Sequence, residues 1–252
     1  MEKKLLKKSF QLKGLKEIPY DSLWNTKGAF TTIRILGRKP KFIFLNEHIK
    51  NLNESLNELN INFSINTKIF KNLFINNFVN KNYYNYLLRI AVNEKKISFD
   101  LRKKLTTKKF FKGILINYRR KNSHIKNLHY IKILNLLESI NSSYEEVIIC
   151  EKDKLLEGCT TNIVCVKNKT LYIPKKNYYF GITLKIIKKN TKRKVIKTNI
   201  LKKNLKFFDE ILLLGSGKGV VALNNIPQLN WKNKSQVIYN ELQALYKLHS
   251  KK

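Results

Sequence analysis

The stretch that most constrains this chain runs Leu155-Leu156-Glu157-Gly158-Cys159-Thr160-Thr161-Asn162-Ile163-Val164. Apolar text stands on both sides of one acid and one glycine. A strand that meets a tight turn and leaves as a second strand accounts for it, because glycine turns without a side chain in the way. A second stretch lies upstream, Ile131-Lys132-Ile133-Leu134-Asn135-Leu136-Leu137. It sets Lys132 in an apolar frame, unlike the solvated lysines scattered elsewhere.

Periodicity supplies the surrounding elements. Gly28 to Ile35 alternates as a strand does. Gly37 and Pro40 flag a turn, and Phe42 to Leu45 resumes as a short strand. Asn46 is the expected N-cap of a helix, with Glu47 in its first turn and Leu52, Leu56 and Leu59 at helical spacing. Ile69, Phe70, Leu73, Phe74 and Phe78 predict one apolar helix face. Tyr83 to Val92 reads as a buried strand whose single charge, Arg89, is functional or paired. Ile114 to Tyr118 is another strand, and Arg119 to Asn127 reads as a basic joining loop.

From Leu128 a helix carries Lys132. Strands follow at Glu146–Cys150 and Lys154–Leu156, then a hairpin of Asn162–Val166 and Leu171–Ile173. Gly181-Ile182-Thr183 opens a helix whose free N–H groups make a phosphate site. Glu210 to Leu214 is a buried strand running into Gly215-Ser216-Gly217-Lys218-Gly219, where small residues admit close backbone approach and the serine can donate to a phosphate. The spacing is not that of a P-loop. Ser235 to His249 predicts a closing amphipathic helix with Val237, Ile238, Leu242 and Leu245 inward.

Composition bounds the class. At 252 residues and 43% hydrophobic, the chain can bury a proper core in one or two domains. No apolar run reaches membrane-spanning length, and the basic N-terminus lacks the apolar core of a secretory signal. Cys150, Cys159 and Cys165 have no Cys-x-x-Cys spacing and no histidine nearby, so they read as buried free thiols in a reducing, cytoplasmic setting, with no metal site. The net charge of +34 raises the question of nucleic acid. The lysines are spread over the whole chain among abundant Asn and Ile, and no nucleic-acid-binding motif accompanies them. Nucleic acid is therefore not expected as the main partner, although the field favours a small anionic substrate.

Taken in order, the Lys132-x-x-Asn135 helix start, Glu157-Gly158-x-x-x-Asn162, Gly181-Ile182-Thr183 and the turn at Ser216 resemble the fold-type IV pyridoxal-phosphate enzymes, the class IV aminotransferase family. The resemblance spans about Asp21 to Ile226. It implies a two-domain α/β (α+β) fold: a small N-terminal α/β domain at 1–120, a joining loop at 121–127, and a cofactor-binding C-terminal domain with a barrel-like sheet at 128–252. It also implies a homodimer. Pyridoxal 5'-phosphate is the implied cofactor, held covalently by Lys132, with Glu157 beside the ring nitrogen and Ile182, Thr183, Ser216 and Gly217 around it. The family's His-x-x-Arg-Leu reads His48-Ile49-Lys50-Asn51-Leu52 here, so Asn51 stands where an arginine would meet the phosphate. Lys50 is one residue away and points elsewhere on a helix. His48 reads as structural.

Within the family, Phe30-Thr31-Thr32-Ile33-Arg34 and the Lys132-Ile133-Leu134-Asn135 form resemble 4-amino-4-deoxychorismate lyase. That implies Lys132 and Thr32 as catalytic and Thr31 and Arg34 at the substrate. The expected reaction releases 4-aminobenzoate and pyruvate, a step toward folate. Two rivals stand beside it: a D-amino-acid or branched-chain aminotransferase, and a basic binding protein that keeps the fold without activity.

Overall fold

The computed structural model describes residues 6–75 and 83–251. The chain forms two compact units, Met1–Lys104 with Ile125–Ile131, and Leu105–His124 with Lys132–Lys252. The division expected from the sequence is 1–120, a joining loop at 121–127, and 128–252. The chain enters the second unit at Leu105, returns for seven residues at Ile125, and leaves again at Lys132.

The first unit is an antiparallel sheet with two helices. Its strands are β1 Lys7–Gln11, β2 Glu17–Ile18, β3 Gly28–Gly37, β4 Lys41–Phe42, β5 Tyr84–Asn93 and β6 Lys96–Lys103, in the order β2-β1-β6-β5-β3-β4. The helices are α1 Leu45–Glu58 and α2 Thr67–Ile75. Strand alternation sends Ala29, Thr31, Ile33 and Ile35 to one face of β3 and Phe30, Thr32 and Arg34 to the other. The first face is core, packed with Ile49, Leu52 and Leu56 of α1 and with Phe70, Phe74, Leu88, Ile90 and Phe99. On the opposite face Thr32 stands beside Arg89 and Arg89 beside Asp100. Arg89 is a paired charge: its Nε lies 3.9 Å from Asp100, it donates to the Tyr20 hydroxyl at 3.1 Å, and its guanidinium lies 4.1 Å from the Trp24 ring centre.

The segment 125–131 completes this unit. Phe30 N–H donates to Lys126 C=O and Leu128 N–H to Gly28 C=O, both at 2.9 Å. Gly28 has to be glycine, since a Cβ there would stand 2.3 Å from the Val92 carbonyl and 2.6 Å from Leu128 Cδ1.

Two local expectations need correcting here. The α1 helix begins at Leu45, which was expected to end a strand. Its N-cap is Phe44 in the left-handed region, φ 55°, and not Asn46. Strands β1 and β6 carry enough lysine to hide their alternation, and they pair through Ser9 and Ser98, whose hydroxyls meet at 2.8 Å in the core. Phe78 lies outside the described residues.

The second unit is built on a larger mixed sheet. Its elements are β7 Phe110–Asn117, α3 Ile131–Glu138, β8 Glu145–Glu151, β9 Lys154–Gly158, β10 Asn162–Lys167, β11 Thr170–Pro174, α4 Ile182–Asn190, β12 Val195–Thr198, β13 Ile200–Leu201, β14 Glu210–Gly215, β15 Gly219–Ile226, β16 Trp231–Lys232 and α5 Val237–Lys251. The strand order is β12-β11-β10-β14-β15-β7-β8-β9-β13, with β16 on β15. The sheet curls, bringing β11 near β9 and β13. Phe111, Ile148, Ile163, Ile211, Leu213, Val221 and Leu223 fill its apolar interior.

Strand β7, expected in the N-terminal domain, sits between β15 and β8 in this sheet and runs parallel to both. The α3 helix starts at Ile131, three residues later than expected. On α5 the buried residues are Ile238, Tyr239, Leu242 and Tyr246, whereas Val237 is 59% exposed. Tyr239 and Tyr246 were not among the expected inward residues, yet their buried rings add core volume. Among the described residues no helix is long and apolar enough to cross a membrane.

Candidate active site

The turn after β9 is the hub of the second unit. Glu157, next to the last residue of β9, is almost wholly buried, and its carboxylate is gripped in two places. Arg120 donates from Nε to Oε1 at 2.7 Å and from Nη2 to Oε2 at 3.0 Å, a two-point charge-assisted pair. The Tyr179 N–H donates to Oε2 at 3.0 Å. Arg120 also closes its own loop, donating from Nη2 to the Ser123 carbonyl at 2.8 Å.

Asn162, five residues after Glu157, holds the same segment from the other side. Its Nδ2 donates to the Tyr179 carbonyl, and its Oδ1 accepts from Gly181 N–H at 3.0 Å. A Cβ on Gly181 would come within 2.8 Å of that Oδ1. The acid and the asparagine of the motif thus share one task, fixing residues 179–181 where they enter α4. Gly158 serves the same turn, since a Cβ would stand 2.3 Å from Thr161 Oγ1.

The start of α4 is equipped for an anion. The first N–H groups of a helix, here those of Ile182 and Thr183, have no acceptor inside it and carry the positive end of its dipole. Thr183 Oγ1 is buried without a hydrogen-bond partner, as is Thr161 Oγ1. An unpaired buried hydroxyl is costly, and a phosphate group arriving at the helix start would relieve it at Thr183. These donors fit a phosphate-bearing cofactor.

The turn between β14 and β15, with Ser216 and Gly217, is tied to the same hub. Lys218 pairs with the fully buried Glu146, which also accepts from the Thr160 N–H at 3.0 Å and hydroxyl at 2.9 Å. Gly215 lies so close that a Cβ would stand 2.8 Å from the Thr160 carbonyl. Lys218 is therefore occupied by Glu146.

Lys132 is exposed, at the second position of α3. Its apolar frame is looser than the sequence suggested, since Ile131 is 42% exposed and Ile133 alone on this helix is buried. Its amine lies 4.4 Å from the centre of the Tyr118 ring, and among the described residues no carboxylate pairs with it. Burial raises the Tyr118 phenol above its ordinary value against the pull of nearby Arg120. Tyr118 is two residues from Arg120, so one short segment serves both Lys132 and Glu157.

The sequence reading missed Arg120. Within a basic stretch it looked like one more solvated cation. The signal was alternation: Arg119 turns outward to Glu151 at 2.8 Å, and its neighbour turns inward.

The remaining expected residues lie in the first unit. Thr31 does not reach the open face of the sheet. It is 2% exposed on the core side, with its hydroxyl 2.6 Å from Nδ1 of His48. Thr32 and Arg34 share the opposite face, and Arg34 Nε is buried without a hydrogen-bond partner. Asn51 is buried on α1, while Lys50 is exposed. Cys150, Cys159 and Cys165 are buried and form no disulfide. Burial holds all three thiols above their ordinary range, with Cys150 pushed up to about 11. They remain protonated and are poor nucleophiles.

The family model described as amino-transferase class IV matches residues 28–226. No curated protein matches the chain in sequence. Among solved structures, a Thermoproteus uzoniensis branched-chain aminotransferase, crystallised with norvaline, is similar at TM-score 0.78 and 15% identity, covering 95% of this chain and 93% of its own. A Legionella pneumophila protein provisionally named 4-amino-4-deoxychorismate lyase gives 0.72 and 18%, covering 89% and 91%. A Mycobacterium tuberculosis hypothetical aminotransferase in its PLP-bound form gives 0.75 and 11%, covering 96% and 98%. At such identities the likeness is one of fold.

Proposed function

The chain belongs to the class IV aminotransferases, and from that premise we propose that it is a pyridoxal-phosphate enzyme cleaving 4-amino-4-deoxychorismate to 4-aminobenzoate and pyruvate. The observation that carries the cofactor is the buried Glu157 beside an α4 start whose Thr183 hydroxyl has no partner. The lyase reading rests on Phe30-Thr31-Thr32-Ile33-Arg34 and on Lys132-Ile133-Leu134-Asn135. Thr31, held by His48, supports Thr32 from behind the strand, so Thr32 and Arg34 are left to face a substrate. Arg34 suits a carboxylate, because its buried Nε lacks an acceptor.

When bound, the cofactor supplies an electron sink for the substrate's amine and a covalent link to a lysine. The chain supplies the rest. The Ile182 and Thr183 amides with the Thr183 hydroxyl, and Ser216, hold the phosphate. Glu157 keeps a negative charge at the ring nitrogen and favours its protonated form. Lys132 Nζ would remove the proton from the substrate carbon that bears the nitrogen. A placed base of this kind contributes about 10²–10⁴-fold. A homodimer in the cytoplasm belongs to the same reading, and three cysteines outside any disulfide suit a reducing compartment.

The test is stoichiometric. Purified protein loaded with pyridoxal phosphate and given aminodeoxychorismate alone should release 4-aminobenzoate and pyruvate in equal amounts over many turnovers. Product that halts after one equivalent and resumes with added keto acid would make the protein an aminotransferase. Borohydride reduction followed by peptide mass spectrometry should place the pyridoxyl group on Lys132, and a label on another lysine would move the site.

A further inference from the structure

A carboxylate offers about four lone-pair directions to donors. At Glu157 three are filled, by Arg120 Nε on Oε1 and by Arg120 Nη2 and the Tyr179 N–H on Oε2. The remaining direction lies on Oε1, the oxygen held by Arg120 alone. Resting on the cofactor assignment above, we propose that Arg120 is the positioning residue that fixes Glu157 so that this one oxygen faces the ring nitrogen.

The argument is one of rotation and charge. A glutamate side chain has three torsions, and a carboxylate held by one backbone N–H could swing away from its target. The two parallel bonds to a planar guanidinium stop that swing. Arg120 is itself immobilised, both by the Ser123 carbonyl and by burial, with about 6% of its side chain exposed and 5% of that of Glu157. Charge works in the same direction. The guanidinium draws electron density from the carboxylate it grips, so a proton on the ring nitrogen would stay there and be shared with Oε1. A lysine in place of Arg120 would keep the charge and lose the two-point geometry.

The test compares binding of pyridoxal phosphate with that of its 1-deaza analogue, which has carbon where the ring nitrogen stands. The ratio of their dissociation constants reports the Glu157 contact without any turnover. Wild type should favour pyridoxal phosphate by about ten- to a hundredfold, the range of a charge-assisted hydrogen bond. Glu157→Gln should bring the ratio close to one. Arg120→Gln should do the same, and the double variant should fall no further. Arg120→Lys should lie between Arg120→Gln and wild type, and it serves as the test if melting shows Arg120→Gln unfolded. Arg120 variants that keep the wild-type ratio while Glu157→Gln loses it would overturn the proposal and leave the cofactor assignment standing. A wild type that does not distinguish the two compounds, or a Glu157→Gln variant that still does, would remove Glu157 from the ring nitrogen and overturn both.

Discussion

The contact between Thr31 and His48 shows how one hydrogen bond reassigns a residue. The motif made Thr31 a substrate contact, and alternation along β3 turns it into the core. His48 is buried beneath it, and burial, helped by nearby Lys126, lowers its imidazole to about 3. The imidazole is therefore neutral in the folded protein at physiological pH. Its unfolded counterpart titrates near 6.5. Above that pH both states are neutral and the full stability is present. Below it the unfolded chain takes a proton that the folded one refuses, so stability falls as pH drops from about 6.5 toward 3. Urea melts of wild type and His48→Gln between pH 7 and 4 should show a smaller loss for the variant. Parallel losses would mean that His48 does not carry the effect.

At the scale of elements, buried carboxylates act as fasteners. Glu210 opens β14 with no exposed surface, and its two oxygens accept from the Ile238 and Tyr239 N–H groups at 2.9 and 2.7 Å. Those amides belong to the first turn of α5, which has no acceptors of its own for them. A strand thereby caps a helix distant in sequence, and the negative charge suits the helix start. Glu210→Gln replaces one acceptor with a donor facing an N–H. It should lower unfolding free energy by about 1–3 kcal/mol and raise amide exchange in α5 ahead of the sheet. A loss shared evenly by all elements would contradict the cap. Glu146 fastens in the same way, joining the turns at Thr160 and Lys218.

For the whole molecule the charge of +34 is the dominant property. It is uneven: between Glu157 and Asp209 the sequence contains no acid, and that stretch builds β10 to β13 and α4 of the unit that carries the candidate site. A dianionic substrate is drawn to such a field, and steering of this kind is screened by salt. Raising ionic strength from about 0.02 to 0.5 M should therefore lower kcat/KM several-fold and leave kcat nearly unchanged. A kcat/KM indifferent to salt would show that the charge does not guide substrate.

What the sequence determined by itself was local. Alternation in Gly28–Ile35, the acid and glycine at 157–158, the helix opening at Gly181 and the strand at Glu210 are each encoded within a few residues, because strand and helix periods and glycine's freedom act over that range. The motif order was enough to identify the family. The tertiary structure alone decided partnership. Alternation separates Arg120 from Arg119, but only the parallel pairing of β7 with β8 carries it beside Glu157. Thr31 looks like a site residue until α1 brings His48 against it. The passage of the chain between units at Leu105, Ile125 and Lys132 leaves no composition shift to read. Pairing of buried charge depends on contacts between distant residues, and only the folded chain brings those groups together.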